Sequence, residues 1–134
     1  MSTIKRGVSL YSYQDEFYTG KMTLEDCIRE AAKTGATGIE FLPEQMLPTF
    51  PNISDDFVKL WHEWLEKYGV EPVAYDAFLD NKLFANRMLT TSENVDMMKR
   101  DLKIANRLGC KILRTLVSTP LEAVSYTHLT LPTN

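Results

Sequence analysis

Ionisable side chains stand at or beside the ends of several apolar, strand-like runs in this sequence. Glu40, Asp76 and Arg114 each occupy such a position. In parallel α/β folds the active site lies where the strands end at their carboxyl edge, so these three side chains are candidates for function. A carboxylate there can act as a base, bind hydroxyl groups or contact a metal, and an arginine can neutralise an anion or orient a carboxylate.

The wider candidate set takes side chains from four predicted strand ends. It consists of Tyr11, Tyr13 and Gln14 after the first strand, Glu40 and Glu44 around the second, Tyr75 and Asp76 at the third, and Arg114 and Thr115 in the fourth. Each residue taken singly fits a structural layer of buried ion pairs and hydrogen bonds as well as it fits a site. The set as a whole favours a site.

Three helices are predicted to position these strand ends, and each runs from a capping side chain to a glycine. The pairs are Thr23 with Gly35, Ser54 with Gly69, and Thr90 with Gly109. Apolar strands are predicted at residues 7–12, 38–41, 72–76 and 111–117. Residues 14–20 and the proline-rich residues 42–52 are predicted as loops without a helix, and residues 118–120 as the cap of a fourth helix.

The alternation of strands and helices predicts a parallel sheet with right-handed crossovers, which is the α/β class. A (β/α)₈ barrel uses about 250 residues for eight units. Four units in 134 residues therefore predict the first half of such a barrel, with an open doubly wound sheet as the alternative. A half barrel leaves its two outer strands with one free edge each and should pair with itself or aggregate.

Residues 123–134 fit this pattern poorly, because the predicted fourth helix does not appear in the sequence. The segment resembles the in-frame translation of a sequencing-library adapter. We therefore divide the chain into a half barrel at residues 1–122 and a non-native tail at 123–134, in which His128 has no function. A native edge strand or a disordered terminus is the alternative interpretation.

Composition excludes several classes of protein. The net charge is -3, with lysines and arginines scattered along the chain, which argues against a nucleic-acid partner. No run approaches the roughly 20 apolar residues that span a bilayer, and no signal peptide is apparent, so we expect a cytoplasmic protein without a membrane partner. A homo-oligomer remains an option.

The cysteines and the first histidine have structural interpretations. Cys27 and Cys110 belong to no metal-binding spacing and are predicted as buried thiols, with a disulfide or a reactive role as the alternative. His62 lies between two tryptophans on a predicted helix and is interpreted as a surface residue. The stripe of Trp61, Trp64 and Tyr68 predicts packing of that helix on the sheet.

Several segments together resemble the opening of a known family. They are residues 7–14 (GVSLYSYQ), 22–28 (MTLEDCI), 35–40 (GATGIE) and 108–114 (LGCKILR). Residues 4 to about 122 are similar to the xylose isomerase-like TIM barrels, usually labelled sugar phosphate isomerases/epimerases. The first and third segments are moderately specific, whereas glycine-capped helices are generic to α/β proteins.

The resemblance implies a divalent metal, Mn²⁺, Mg²⁺ or Co²⁺, that stabilises an enediolate while acidic residues move a proton between adjacent sugar carbons. Its Glu/Asp/His/Glu ligands lie on later strands in the family, so no metal or cofactor is expected in this chain itself. What the resemblance assigns to the first half is the pocket wall that contacts the sugar. The matching positions are Tyr13, Gln14, Glu40, Tyr75, Asp76 and Arg114.

The working hypothesis is an inactive fragment of a metal-dependent sugar isomerase or epimerase that acts on a small-molecule sugar. Other reactions on the same barrel are the runner-up: a C-glycoside-cleaving lyase, a dehydratase or, disfavoured by the acidic balance, an endonuclease. A flavodoxin-like binding module that is complete in itself is an alternative of a different class. The sequence does not identify the substrate, the metal or the catalytic residues.

Overall fold

A computed structural model of the chain describes residues 4–80, 87 and 89–118, which form a parallel sheet covered by helices. The strands are β1 (Gly7–Ser9), β2 (Gly38–Phe41), β3 (Glu71–Asp80) and β4 (Ile112–Ser118). The α-helices are α1 (Gln14–Tyr18), α2 (Leu24–Lys33), α3 (Pro43–Met46), α4 (Asp55–Tyr68) and α5 (Thr91–Arg107), with a 3₁₀ helix at Leu10–Tyr13. The predicted tail and the predicted cap at residues 119–120 lie outside the described residues.

The three predicted helices are confirmed, and their capping geometry explains their bounds. The hydroxyls of Thr23 and Thr90 each accept a hydrogen bond from the backbone N–H three residues on. The side-chain carboxylate of that third residue accepts one from the backbone N–H of the threonine, so both helices begin with a capping box. The hydroxyl of Ser54 accepts from the Phe57 amide. Gly69 ends α4 in the left-handed conformation, with φ of 66°, which a residue with a Cβ adopts at a cost.

The predicted first strand is wrong beyond Ser9, because residues 10–13 form the 3₁₀ helix and residues 14–18 form α1 rather than a loop. Asp15 and Glu16 lie in the first turn of α1, where acidic side chains interact favourably with the free amides. Phe17 packs against the core cluster and holds this turn to the body of the fold. The chain therefore leaves the sheet earlier than its β-prone composition suggests.

The loop predicted at residues 42–52 is wrong at its start, where α3 forms. Pro43 is at the first helical position, where its missing N–H would have no partner in any case. The third strand also extends at both ends beyond the predicted residues 72–76, since β3 covers ten residues. Its extension adds the pairs from Ala77 to Asp80 with β4.

The sheet has the order β1-β2-β3-β4, and every neighbouring pair is parallel. Consecutive strands of a barrel are neighbours in this way, whereas a doubly wound sheet reverses its order at a switch point. The described strands thus show the barrel order and not the order of the flavodoxin-like alternative. Among the described residues, β1 and β4 are each paired along one edge.

The hydrophobic core lies between the sheet and the helices. Trp61 on α4 is fully buried, and its indole N–H donates to the carbonyl of Leu108 at 3.1 Å. Phe41 packs between Trp61 and Tyr75, with ring centroids 4.8 and 5.7 Å away. The predicted packing role of the aromatic stripe on α4 is confirmed. None of the described helices is both long and apolar enough to cross a membrane.

Candidate functional site

An irregularity in the pairing of β2 with β3 decides which side chains share the open face of the sheet. Ile39 pairs with Pro72, but the next residue, Glu40, pairs with Ala74, so that Val73 is an extra residue. Because side chains alternate along a strand, this shift by one residue moves Asp76 to the same face as Glu40. The regular pairing would have placed them on opposite faces.

Arg114 joins the two carboxylates on this face. Asp76 and Arg114 are partners in the register of β3 with β4. The guanidinium donates from Nε to Asp76 Oδ1 and from an Nη to Asp76 Oδ2, both at 2.7 Å, and lies 2.8 Å from Glu40 Oε1. The Asp76 side chain is fully buried, whereas those of Glu40 and Arg114 are 31% and 52% exposed. The three residues form what we call the Arg114 cluster.

The two carboxylates of the Arg114 cluster have different proton affinities. A hydrogen bond shared with Asp76 raises the pKa of Glu40, and burial and the negative charge of Asp76 add to this increase. Burial also raises the pKa of Asp76, but hydrogen bonds from Arg114 and Glu40 outweigh it and leave that pKa below its ordinary value. Glu40 therefore holds its proton more strongly than an ordinary glutamate, and Asp76 ionises more readily than an ordinary aspartate.

A cavity of about 330 Å³ opens beside Arg114 and extends to Ser9 at the end of β1 and to Leu42 directly after β2. It is lined by Ser9, Tyr11, Leu42, Gln45, Phe78 and Arg114. Of these, sequence reasoning singled out Tyr11 and Arg114 and missed the other four. The position of Ser9 at the end of β1 was the available signal, whereas Gln45 lies on α3, which the sequence did not predict.

Tyr75 lies on the opposite face from its neighbour Asp76. It is fully buried, and its hydroxyl donates to Asp101 Oδ1 on α5 at 3.2 Å. Burial and the nearby charge of Asp101 raise the pKa of Tyr75 well above its ordinary range. Asp76 therefore belongs to the Arg114 cluster, whereas Tyr75 packs in the helix layer. The two adjacent side chains do not line the same pocket wall.

The candidates that follow β1 are also divided. Tyr13, at the end of the 3₁₀ helix, lines a groove along α2 together with Asp26 and Arg29 instead of the cavity beside Arg114. Burial, followed by the charge of Glu30, raises the pKa of Tyr13. Gln14 begins α1 and is half-buried.

Two further candidates lie near the Arg114 cluster in sequence. Thr115, the residue after Arg114, is exposed. Glu44 belongs to α3 and is half-buried. The candidates that the fold brings to one place are therefore Glu40, Asp76 and Arg114, with Tyr11 on the wall of the adjoining cavity.

The histidine and the cysteines keep structural roles. His62 is exposed on α4, and its Nε2 donates to the carbonyl oxygen of Arg107 at 3.0 Å. Both cysteines are free thiols; Cys27 is fully buried and Cys110 half-buried. Burial raises the pKa of Cys27 to about 11 and that of Cys110 to about 12, so both stay protonated at neutral pH.

The described residues do not fit the divalent metal that the sequence resemblance implies. Among residues 4–80, 87 and 89–118, no group of three or more His, Cys, Asp or Glu side chains could hold a metal ion. Glu40 and Asp76 meet at the guanidinium of Arg114, whose positive charge opposes a cation at that point. The Arg114 cluster is therefore not a metal site of the described residues.

Comparisons with known proteins agree with this architecture. A family model described as a xylose isomerase-like TIM barrel matches residues 28–129. A C-glycoside deglycosidase alpha subunit from Arthrobacter globiformis is 40% identical over 109 residues, which cover 81% of this chain and 31% of the relative. A 3'-dehydrocarminate deglycosidase alpha subunit from a Microbacterium species is 31% identical over 109 residues, with the same two coverages, 81% and 31%.

A solved structure shares the fold at low sequence identity. It is the probable 3-DHS dehydratase AsbF from Bacillus anthracis, with a TM-score of 0.62, 15% identity, and coverage of 86% of this chain and 39% of that one. The chain thus spans about a third of the length of the curated relatives and a little over a third of this neighbour.

Proposed function

Because the chain belongs to the xylose isomerase-like TIM barrel family, we propose that it forms the first part of a barrel that removes sugars from C-glycosides. The observation that carries this proposal is the 40% identity to a C-glycoside deglycosidase alpha subunit along 81% of the chain. We place the sugar in the cavity beside Arg114, at the strand ends where barrels of this kind hold their substrates.

Glu40 supplies the chemistry that this part of the barrel can contribute. In an elimination, a base removes a proton from the sugar carbon adjacent to the anomeric carbon. A C=C bond then forms between these two sugar carbons as the bond from the anomeric carbon to the aglycone breaks, and the aglycone carbon takes up a proton. The raised pKa makes Glu40 better suited than an ordinary glutamate to donate the proton in this last step. Asp76 is buried and paired with Arg114, so the base that removes the first proton is another group of the complete site.

Interconversion of sugars by an isomerase or epimerase is the second candidate. It needs an acid and a base that move a proton between adjacent carbons, and the raised pKa of Glu40 suits either role. The Mn²⁺, Mg²⁺ or Co²⁺ expected for such a reaction would be bound by residues other than the described ones. The two candidates differ in whether the bond to the aglycone breaks.

Recovering the complete reading frame allows both candidates to be tested on the full-length protein. We expect release of the aglycone from a C-glycoside and no interconversion of the corresponding free aldose and ketose. Glu40→Gln should lower kcat/KM by about 100-fold or more, the usual contribution of one acid or base. Glu63→Gln, at an exposed position on α4, is the matched control and should retain activity.

The outcomes separate the candidates. Interconversion of free sugars without aglycone release would replace the first candidate by the second. Aglycone release that is equally fast in Glu40→Gln would remove Glu40 from the mechanism. The 134-residue chain alone should be inactive, and turnover by it would contradict the view that essential groups lie beyond it.

A further inference from the structure

The charge of Arg114 is already satisfied within the protein. Its guanidinium makes two 2.7 Å hydrogen bonds to the buried Asp76 carboxylate and a third contact of 2.8 Å to Glu40. Asp76 keeps its negative charge because Arg114 and Glu40 both donate to it. The Arg114 cluster therefore carries no net positive charge, whether or not Glu40 is ionised.

The described part of the cavity wall contains no second cation. Among the described residues that line the cavity, Arg114 is the only charged one, and the others are Ser9, Tyr11, Leu42, Gln45 and Phe78. A phosphate group binds where arginine or lysine side chains offer free positive charge. Here a phosphate would instead meet an arginine that is shared between two carboxylates, whose negative charges repel it.

The same wall suits an uncharged sugar. The hydroxyl of Ser9 and the amide of Gln45 both donate and accept hydrogen bonds, as sugar hydroxyls do. Phe78 and Tyr11 add aromatic surface, against which the C–H face of a sugar ring can pack. Pockets that combine apolar walls with a few polar groups are the usual form of a small-molecule site.

We propose that the cavity beside Arg114 selects an uncharged sugar unit over a sugar phosphate, and that Asp76 is the residue that sets this specificity. The inference rests on the proposed function to the extent that it takes this cavity as part of the sugar site. Asp76 acts through Arg114 and does not itself line the cavity, so it is a positioning residue.

Calorimetric binding of glucose and of glucose 6-phosphate to the full-length protein tests the inference. The two probes differ by one phosphate, and we expect glucose to bind at least about tenfold more tightly. Asp76→Asn made in a Glu40→Gln background leaves the charge of Arg114 without a carboxylate partner. Relative to Glu40→Gln alone, it should lower this ratio by about tenfold or more, mainly by improving the binding of glucose 6-phosphate. A general loss of stability would weaken the binding of both probes equally and leave the ratio of their affinities unchanged.

Asp101→Asn is the matched control. Asp101 is also a fully buried carboxylate paired with an arginine, Arg100, but it lies on α5, where it accepts from Tyr75 on the opposite face of the sheet. This variant should leave the ratio unchanged. Equal changes in Asp76→Asn and Asp101→Asn would overturn the role of Asp76.

The wild-type protein alone also decides the question if Asp76→Asn does not fold. Equal affinity for the two probes, tighter binding of glucose 6-phosphate, or no binding of glucose would each overturn the inference. Calorimetry requires no turnover, so selective binding by a protein that leaves C-glycosides intact would refute the proposed function and support the inference. Cleavage of C-glycosides together with tighter binding of glucose 6-phosphate would support the proposed function and refute the inference.

Discussion

Gly38→Ala should destabilise the chain because of the irregular pairing that forms the candidate site. A Cβ on Gly38 would lie 2.5 Å from Cγ2 of Val73, the extra residue of β3. Carbon atoms in favourable contact are about 3.5–4.0 Å apart, so either the Val73 side chain must leave its rotamer or β2 and β3 must separate by roughly 1 Å at this point. Overpacking of this kind costs about 1–3 kcal/mol of the free energy of unfolding.

The double variant with Val73→Ala isolates this contact. Val73 is 40% exposed, so its own truncation removes little buried surface. With Cγ2 absent, the nearest atoms to the added Cβ are the Glu71 carbonyl oxygen and the Val73 Cβ, both at 3.7 Å. This distance is an ordinary van der Waals contact. Val73→Ala should therefore restore most of the stability lost in Gly38→Ala, with a coupling energy of about 1–2 kcal/mol.

Urea denaturation of the four proteins, wild type, both single variants and the double variant, measures these quantities. Gly7→Ala is the matched control, because Gly7 pairs with Gly38 across β1 and β2 and its added Cβ would meet a carbonyl oxygen at 3.5 Å. We expect this control to be neutral or slightly stabilising. A Gly38→Ala variant as stable as Gly7→Ala, or one that Val73→Ala fails to rescue, would refute the reasoning.

Three other substitutions test the charges and the core. Arg114→Met should destabilise the chain at neutral pH, where Asp76 is ionised, and progressively less as the pH falls from the ordinary Asp76 pKa of 3.8 through its lower folded pKa. A loss of stability that stays constant in pH-dependent denaturation would contradict this. The raised folded pKa of Glu40 means that the protonated form stabilises the fold. The stability of the wild type relative to Glu40→Gln should therefore be greatest below pH 4.5 and should decline as the pH rises through the folded pKa. An increase in relative stability over that range would contradict the raised pKa. Trp61→Phe leaves the Leu108 carbonyl without its buried hydrogen-bond donor and should lower the free energy of unfolding by about 1–3 kcal/mol. An unchanged free energy of unfolding in urea denaturation would contradict this.

The helices were predictable because their signals are local. Thr23, Ser54 and Thr90 cap the residues that immediately follow them, and the glycines that end each helix are a few residues away in sequence. The α/β class and the half-barrel order of the strands follow from that alternation and are confirmed. The errors, at residues 10–18 and in α3, fall where short helices depend on contacts with the rest of the fold.

The candidate site was predictable only in part, because its geometry depends on register. The predicted strand ends identified Glu40, Asp76 and Arg114, which the fold brings together, although Asp76 and Arg114 lie within β3 and β4 and not at their ends. The same rule named Tyr75, which packs against Asp101 in the helix layer. Two adjacent residues of a strand point to opposite faces, so the rule selects one face only when the register is known.

The register itself comes from the single extra residue in β3. If Glu40 paired with Val73, Tyr75 would share the face of Glu40, and Asp76 would lie among the helices. A buried aspartate in that layer would be separated from Arg114, and Tyr75 would leave the aromatic contact with Phe41. Both the polar cluster and the aromatic core therefore require the irregular pairing, and the absence of a Cβ on Gly38 gives the side chain of Val73 the space that this pairing needs.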